Sequence, residues 1–347
     1  MSKEKLVSTT QLPPSQGPGL ALPGALTRRP LWARAASSPI TGTATALVAI
    51  CCVLGAIAPD FATVSNVLNI LLAASPLTIL ACGLTVALIA GEIDLSVGSV
   101  EALTGSVAAI LMVTYGVPWP LAVCGGIAVG AAAGFVNGIF ATKFAVPSFV
   151  ASLAMLSIAS GAANLLTNGT SVFGLGEQFG FIGTGKIAGV PVPVIIASAV
   201  AVVLAVVLRR TTFGLDVYAV GGNAEAARLS GVNIAKIKVR VLVLSGALAG
   251  IAGLIIAARL DSGSGTVGTQ DLMAAIAAVV IGGTSLNGGV GSIGGSVIGA
   301  LLIATIQNGL VLMDITAFWQ QVAIGSLILI AALLERISKL TTGGKIA

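Results

Sequence analysis

The sequence predicts an all-α, polytopic membrane protein with about ten transmembrane helices and both termini in the cytoplasm. Hydrophobic residues make up 56% of the 347 residues and charged residues only 8%, whereas soluble domains average roughly 25% charged residues. The lipid bilayer is therefore an expected partner of this chain.

Long runs without Asp, Glu, Lys or Arg give the number of helices. A helix needs about 20 mostly apolar residues to cross a bilayer. Two of the runs are long enough for two helices each, and each of these has turn residues near its middle, at 115–120 and 282–289. Six single spans and two pairs make ten, and the segment that begins at residue 271 is the shortest. The uncharged runs are residues 35–59, 61–91, 102–142, 144–176, 187–208, 241–258, 272–313 and 315–334.

The distribution of basic residues predicts the orientation. With the N-terminus inside, 15 of the 17 Lys and Arg residues face the cytoplasm and only Lys186 and Arg259 lie outside, as the positive-inside rule requires. The net charge of +5 is therefore a topology signal, and no nucleic-acid partner is expected. Residues 1–40 are expected to be a disordered cytoplasmic tail. Residues 41–335 are then the transmembrane domain and 336–347 a cytoplasmic C-terminal tail.

The longest charge-bearing segment between the apolar runs, residues 209–240, contains a short helix with recognisable caps. Asn223 suits an N-cap because its side chain can accept a hydrogen bond from the first turn. Glu225 lies where the helix dipole favours an anion, and Gly231 suits the left-handed position after a helix end. Since so short a helix is marginal in water, the segment predicts a docking site for a partner. An ordinary basic loop is the alternative.

Two acids and several polar residues interrupt the apolar pattern. Acidic residues at membrane depth tend to be functional, and Glu92 and Asp94 lie between two apolar runs. They could instead cap the next helix at the cytoplasmic surface, with Asp94 as the N-cap, and both interpretations can hold. Polar groups within spans can line a solute path, but each can also form a helix–helix hydrogen bond. The candidates for a translocation path or gate are Glu92, Asp94, Ser96, Asn137, Asn164, Gln307 and Asn308.

Glycines in this chain predict close helix packing in one span and loops elsewhere. In the fourth span, glycines at spacings of four residues predict a face for close helix packing, and they are Gly125, Gly126, Gly130, Gly134 and Gly138. Residues 180–186 match part of a phosphate-binding loop but lack its Ser or Thr. Residues 263–268 match GxGxxG outside any βαβ unit and are expected to form a flexible outer loop. The chain is therefore expected to have no catalytic, metal or nucleotide site of its own.

Three stretches together resemble the ribose-type ABC transporter permeases. Residues 91–99, GEIDLSVGS, resemble the family's GGIDLSVGS signature, with Glu92 where Gly is usual. Residues 221–233, GGNAEAARLSGVN, resemble its cytoplasmic coupling segment, with Ala224 where Pro is usual. Residues 281–293, IGGTSLNGGVGSI, resemble a third characteristic stretch. The resemblance extends from about residue 40 to the C-terminus.

This resemblance implies a non-enzymatic subunit of an importer in the bacterial inner membrane, which moves a simple sugar such as a ribose-like monosaccharide or a related polyol. It implies three protein partners: a cytoplasmic ATP-binding subunit that holds ATP and Mg, a periplasmic sugar-binding protein, and a second permease copy that is identical or closely related. The binding protein would dock on outer loops such as 168–190 and 259–271. Carried over by position, ATPase coupling falls on Gly222, Asn223, Ala224, Glu225, Ala226, Ala227, Arg228 and Gly231.

An ion-coupled secondary transporter is the alternative. It would use Glu92 or Asp94 as a proton or sodium site and would need no ATPase partner.

Overall fold

The computed structural model describes residues 39–268 and 270–343. This part of the chain contains thirteen helices and four two-residue strands. The predicted tail at 1–40 lies almost entirely outside the described residues, and helix α13 continues to Gly343, into the predicted C-terminal tail. The helices are α1 (Pro39–Ile57), α2 (Val64–Ile89), α3 (Val97–Val113), α4 (Trp119–Thr142), α5 (Ser148–Leu166), α6 (Glu177–Thr184), α7 (Val192–Arg210), α8 (Thr212–Gly222), α9 (Ala224–Leu229), α10 (Ile234–Leu260), α11 (Asp271–Ile281), α12 (Ile293–Leu312) and α13 (Ala317–Gly343).

Seven of these helices are long and apolar enough to cross a membrane, and three shorter apolar helices complete the predicted ten. The long ones are α1, α2, α4, α5, α7, α10 and α12, and the shorter ones are α3, α11 and the first half of α13. The all-α polytopic class is therefore confirmed. The predicted orientation in the membrane remains a prediction.

Helices α2 and α10 form the centre of the bundle. In an apolar 18-residue stretch of each helix, 83% of the residues of α2 and 72% of those of α10 are buried. Lipid tails are as apolar as the side chains, so helices in a membrane associate through close packing of small residues. The glycine face of α4 does this against α10: a methyl group added at Gly130 would overlap the carbonyl oxygen of Gly246, and one at Gly134 that of Leu242. The predicted packing face is therefore confirmed.

The outer connection after α5 is folded. Strand β1 (Val172–Phe173) pairs antiparallel with β4 (Ser262–Gly263), and β2 (Lys186–Ile187) pairs with β3 (Val190–Pro191). Helix α6 lies between these pairs, and its Phe179 is buried with Leu254 near the outer end of α10. Because α6 covers most of the 180–186 stretch, no phosphate-binding loop forms there.

Two segments without regular structure precede the short helices α3 and α11: residues 91–96 and residues 264–268. Gly268 packs so closely on the carbonyl oxygen of Gly98 that no added methyl group would fit. Gly98 lies fifteen residues before the outer end of α3 at Val113, or about 22 Å at 1.5 Å per residue. The prediction of a flexible outer loop at 263–268 was therefore wrong. Its glycines allow the backbone to enter the bundle and lie directly on helices.

The packing of α4 on α10 can be tested with one substitution. Gly134→Val is expected to lower the thermal unfolding midpoint of the detergent-purified protein, because overfilling a tight contact costs about 1–3 kcal/mol. Gly161→Val is the matched control, since Gly161 is also helical but has open space around it. Equal midpoints for the two variants would contradict this packing.

Candidate functional site

The three stretches that resemble the permease family meet at one end of the bundle, where α2 and α8 finish and the loop before α12 lies. The amide of Gly289 donates to the carbonyl oxygen of Ile89 at 2.9 Å, and the hydroxyl of Tyr218 donates to the carbonyl oxygen of Gly291 at 2.8 Å. Gly221, the penultimate residue of α8, lies against the same Ile89 carbonyl. We call the meeting point of Gly91, Gly221, Gly288 and Gly289 the glycine junction.

Glycine is needed at the junction for two different reasons. Gly288 and Gly289 have φ angles of +86° and +73°, which L side chains rarely adopt. Gly221 is helical, but an added methyl group there would overlap the carbonyl oxygen of Ile89 and lie 2.7 Å from the amide nitrogen of Gly289. The junction is therefore a contact of backbone on backbone between α8, the end of α2 and the loop that precedes α12.

Tyr218 adds the junction's side-chain hydrogen bond to Gly291. Burial raises the pKa of Tyr218, while the nearby Arg209 acts in the opposite direction. The phenol therefore stays protonated and can donate at neutral pH.

Helix α9 has the caps that the sequence predicts. The side chain of Asn223 accepts from the amide of Ala226 at 2.9 Å, and Glu225 pairs with Arg228 at 2.6 Å. At the other end Gly231 has φ +87°, and its amide donates to the carbonyl of Arg228 at 3.0 Å. The next amide, of Val232, donates to the carbonyl of Ala227 at 3.0 Å, which completes a Schellman motif.

Sequence analysis missed two features of this region. Helix α8 is capped by Thr211, which accepts from the amide of Gly214 at 3.3 Å, and it joins α9 to the glycine junction. Leu229, the last residue of α9, is 79% exposed. A single exposed leucine is common, but here it lies beside the exposed pair of Glu225 and Arg228 on a short projecting helix.

Glu92 replaces the family's usual glycine, and the structure gives it a partner. Its carboxylate is 3% exposed and lies 2.5 Å from the ammonium group of Lys238, in the first turns of α10. Losing one partner of such a pair leaves an uncompensated buried charge and is strongly destabilising. The substitution therefore fixes the signature loop to α10.

Asp94 lies at the centre of a buried network. Its carboxylate accepts from the amide and the hydroxyl of Ser96, at 3.0 and 2.6 Å, and from the hydroxyl of Ser245 at 2.8 Å. Asn137 in turn donates to the hydroxyl of Ser96 at 3.0 Å. The prediction that Asp94 is the N-cap of α3 was wrong, since Ser96 holds that position. Helix α3 therefore begins two residues later than this alternative places it.

The structure brings only some of the path candidates together. Glu92, Asp94, Ser96 and Asn137 belong to one region at the start of α3. Asn308 exchanges two hydrogen bonds of 2.9 Å with Asn66 of α2, which is a helix–helix contact. The remaining two lie elsewhere: Asn164 donates to the carbonyl of Ser160 in its own helix, and Gln307 is half-buried on α12.

Sequence analysis also missed Glu101. It is the one acidic residue of α3 and is fully buried. Neither of its carboxylate oxygens has a hydrogen-bond partner among the described residues. The sequence signal for this residue was an acid at the edge of a long apolar run. It was overlooked because the uncharged run was counted from residue 102, directly after Glu101.

Comparison with known proteins establishes the class. Residues 66–332 match the family described as "Branched-chain amino acid transport system / permease component". The chain belongs to this permease family. The matched residues include all three stretches of the resemblance, which is thereby confirmed.

Individual relatives extend over most of this permease. The ribose import permease protein RbsC of Escherichia coli (strain K12) is 42% identical over 294 residues, which cover 84% of this chain and 91% of the relative. RbsC of Bacillus subtilis (strain 168) is 40% identical and covers 80% and 87%. The xylose transport system permease protein XylH of Haemophilus influenzae is 34% identical and covers 84% and 96%. No solved structure matches the chain significantly.

Two adjacent glycines provide a test of the junction. Gly221→Ala is expected to separate α8 from the end of α2 and to lower the thermal midpoint, because its methyl group overlaps backbone that cannot rotate away. Gly222→Ala is the matched control, since nothing lies within 4 Å of its added methyl group. Thermal unfolding and limited proteolysis within 209–231 would measure both. Equal protection of the two variants would contradict the junction.

Proposed function

We propose that this permease is the membrane-spanning subunit of an ATP-driven importer and that it carries a simple sugar, a ribose-like monosaccharide or a related polyol, across the bacterial cytoplasmic membrane. The observation that carries the proposal is the 40–42% identity to ribose import permeases over most of the chain. The family description names branched-chain amino acids, but the relatives compared above are named for ribose and xylose. Sugars are therefore the first cargo to test.

Energy would enter through α9. A cytoplasmic ATP-binding subunit, which holds ATP and Mg, docks on this helix and moves it as the ATPase closes. The motion passes through α8 to the glycine junction, where backbone lies directly on backbone. Close-packed protein transmits strain instead of absorbing it. The displacement therefore reaches α2 and the loop before α12 directly.

The docking face is the exposed side of α9. The pair of Glu225 and Arg228 is 65% exposed at each side chain, and such surface pairs contribute little to stability, so both groups are free to take partner charges. Leu229, the exposed last residue of α9, supplies an apolar anchor beside them. Leu229 therefore joins the residues proposed from the sequence.

Two further partners belong to the proposal. A second permease copy, identical or closely related, completes the solute path. A periplasmic sugar-binding protein docks on the folded outer segment at 168–190. The inner part of 259–271 does not suit that docking, because Gly265 and Gly268 lie against α5 and α3.

The ion-coupled alternative receives less support. Both acids that it requires have internal partners: Glu92 pairs with Lys238, and both carboxylate oxygens of Asp94 accept hydrogen bonds from serine. Family membership also favours the permease reading.

The proposal is tested by gentle purification of the permease from its native membrane. A stoichiometric ATPase is expected to co-purify, and the complex is expected to carry ribose or a related sugar into proteoliposomes that contain ATP. Leu229→Ser should weaken association with the ATPase about tenfold or more, as expected for a buried anchor. Leu165→Ser is the matched control, because Leu165 is 80% exposed on α5. A chain that transports without any ATPase would refute the proposal.

Gly231 tests the coupling step itself. Gly231→Val is expected to reduce the sugar transported per ATP with the fold retained, because a left-handed β-branched residue costs roughly 1–2 kcal/mol and the helix it caps has only six residues. Gly231→Asn should keep the coupling, since Asn tolerates this conformation and the space is open. Normal coupling in Gly231→Val would count against the capping model.

A further inference from the structure

Three acids follow one another between the end of α2 and the first turns of α3, and only one is unsatisfied. Glu92 has Lys238, and Asp94 has Ser96 and Ser245. Glu101 is equally buried, yet neither carboxylate oxygen has a partner among the described residues. An unsatisfied buried polar group is destabilising, and in a membrane span such a group is by default a functional one.

Glu101 faces the break between α10 and α11. A methyl group added at Gly268 would lie 3.0 Å from one of its carboxylate oxygens. Asp271, in the first turn of α11, lies at the same break, since its amide donates to the carbonyl oxygen of Gly268 at 3.1 Å. Two acidic residues from distant parts of the sequence are therefore both next to Gly268, where an apolar helix begins inside the bundle.

The backbone at this break is not helical, and part of it is exposed. Non-helical backbone at membrane depth is tolerated only where it is buried in protein or lines a water-filled cavity. Gly265 and Gly268 are buried, but Gln270 is exposed next to Asp271. The break therefore has one face on α3, over Glu101, and another face that requires water.

We propose that Glu101 and Asp271 form the hydrogen-bonding part of a cargo site in the solute path and that this site takes the hydroxyl groups of a neutral polyol. The inference rests on the proposed function and extends it to a defined position. Burial favours the neutral form of a carboxyl group, and this form has one O–H donor and retains acceptor capacity. Each acid can therefore exchange hydrogen bonds with the hydroxyl groups of a sugar. Gly268 covers Glu101 in this structure, so the cargo reaches the acid when residues 264–268 move away from α3.

The first test combines transport with stability. Glu101→Leu in the complete importer should lower ribose uptake per ATP about tenfold or more, because the cargo loses a hydrogen-bond partner and its hydroxyl is left unpaired. Its thermal midpoint should be unchanged or higher, since removing an unpaired buried acid relieves the fold. Glu101→Gln should be intermediate. Ser106→Ala is the matched control, because the Ser106 hydroxyl is also buried on α3 without a partner, and its uptake should be unchanged.

The second test measures access of water. In a variant without the four native cysteines, Gln270→Cys should react with a membrane-impermeant thiol reagent, and ribose should slow the reaction. Val202→Cys is the control, since Val202 is 62% exposed on the apolar helix α7 and should remain unlabelled.

Three results would overturn the inference. The first is wild-type uptake kinetics in Glu101→Leu, and the second is a Gln270→Cys variant that stays inert throughout the ATPase cycle. The third is uptake that requires Na⁺ and loses this requirement in Glu101→Gln, which would make the site a cation site. Failure of the proposed function has a different signature: the wild-type complex itself would move no sugar, and the cargo assignment would fall with it.

Discussion

The fold depends on backbone-to-backbone contact through glycine. A bilayer provides little hydrophobic force between helices, so close approach and hydrogen bonding must hold them together. Gly130 and Gly134 of α4 lie directly on α10, and Gly221 lies directly on the last carbonyl of α2. Such contacts contain no rotamers and cannot adjust gradually. The long helices therefore act as rigid bodies, and the structure can change shape mainly at its two breaks, residues 91–96 and 264–268.

The acids near α3 differ in whether the protein supplies hydrogen-bond or ionic partners for their carboxylates. This difference separates Glu92 and Asp94, which have structural roles, from Glu101, which we assign to the cargo. The pair of Glu92 and Lys238 and the donors around Asp94 fix the first break to α10 and α4. These contacts account for both acids without any ligand. Glu101 lies on α3, the helix that follows this break, and its carboxylate oxygens have no hydrogen-bond partner among the described residues. The protein supplies partners for the carboxylates of both neighbouring acids. The lack of a partner at Glu101 is therefore better explained by a ligand than by imperfect packing.

A feature could be predicted from the sequence when it depends on residues that are close together in the chain. The caps of α9 depend on residues within three positions of one another, so Asn223, Glu225 and Gly231 were sufficient. The spans follow from composition. Helix α8, the inward course of 264–268 and the true start of α3 depend on contacts with distant segments, and no local pattern encodes them. Leu229 and Glu101 can be read from the sequence, but their functional interest depends on the exposure of one side chain and the burial of the other. Only the fold determines these two properties.

One continuous route joins the coupling helix to the acid pair. It runs from α9 through α8 to Gly221, from there to Ile89 and Gly91, and along residues 91–96 into α3. Glu101 is only four residues after the first residue of α3, Val97, or about 6 Å along the axis. A displacement that enters at Gly91 therefore moves the helix that carries Glu101, while the segment that covers this acid belongs to α10 and α11. Relative motion between α3 and the second break would uncover or close the site, so the same contacts that make the bundle rigid also direct its movement to the place where the cargo would bind.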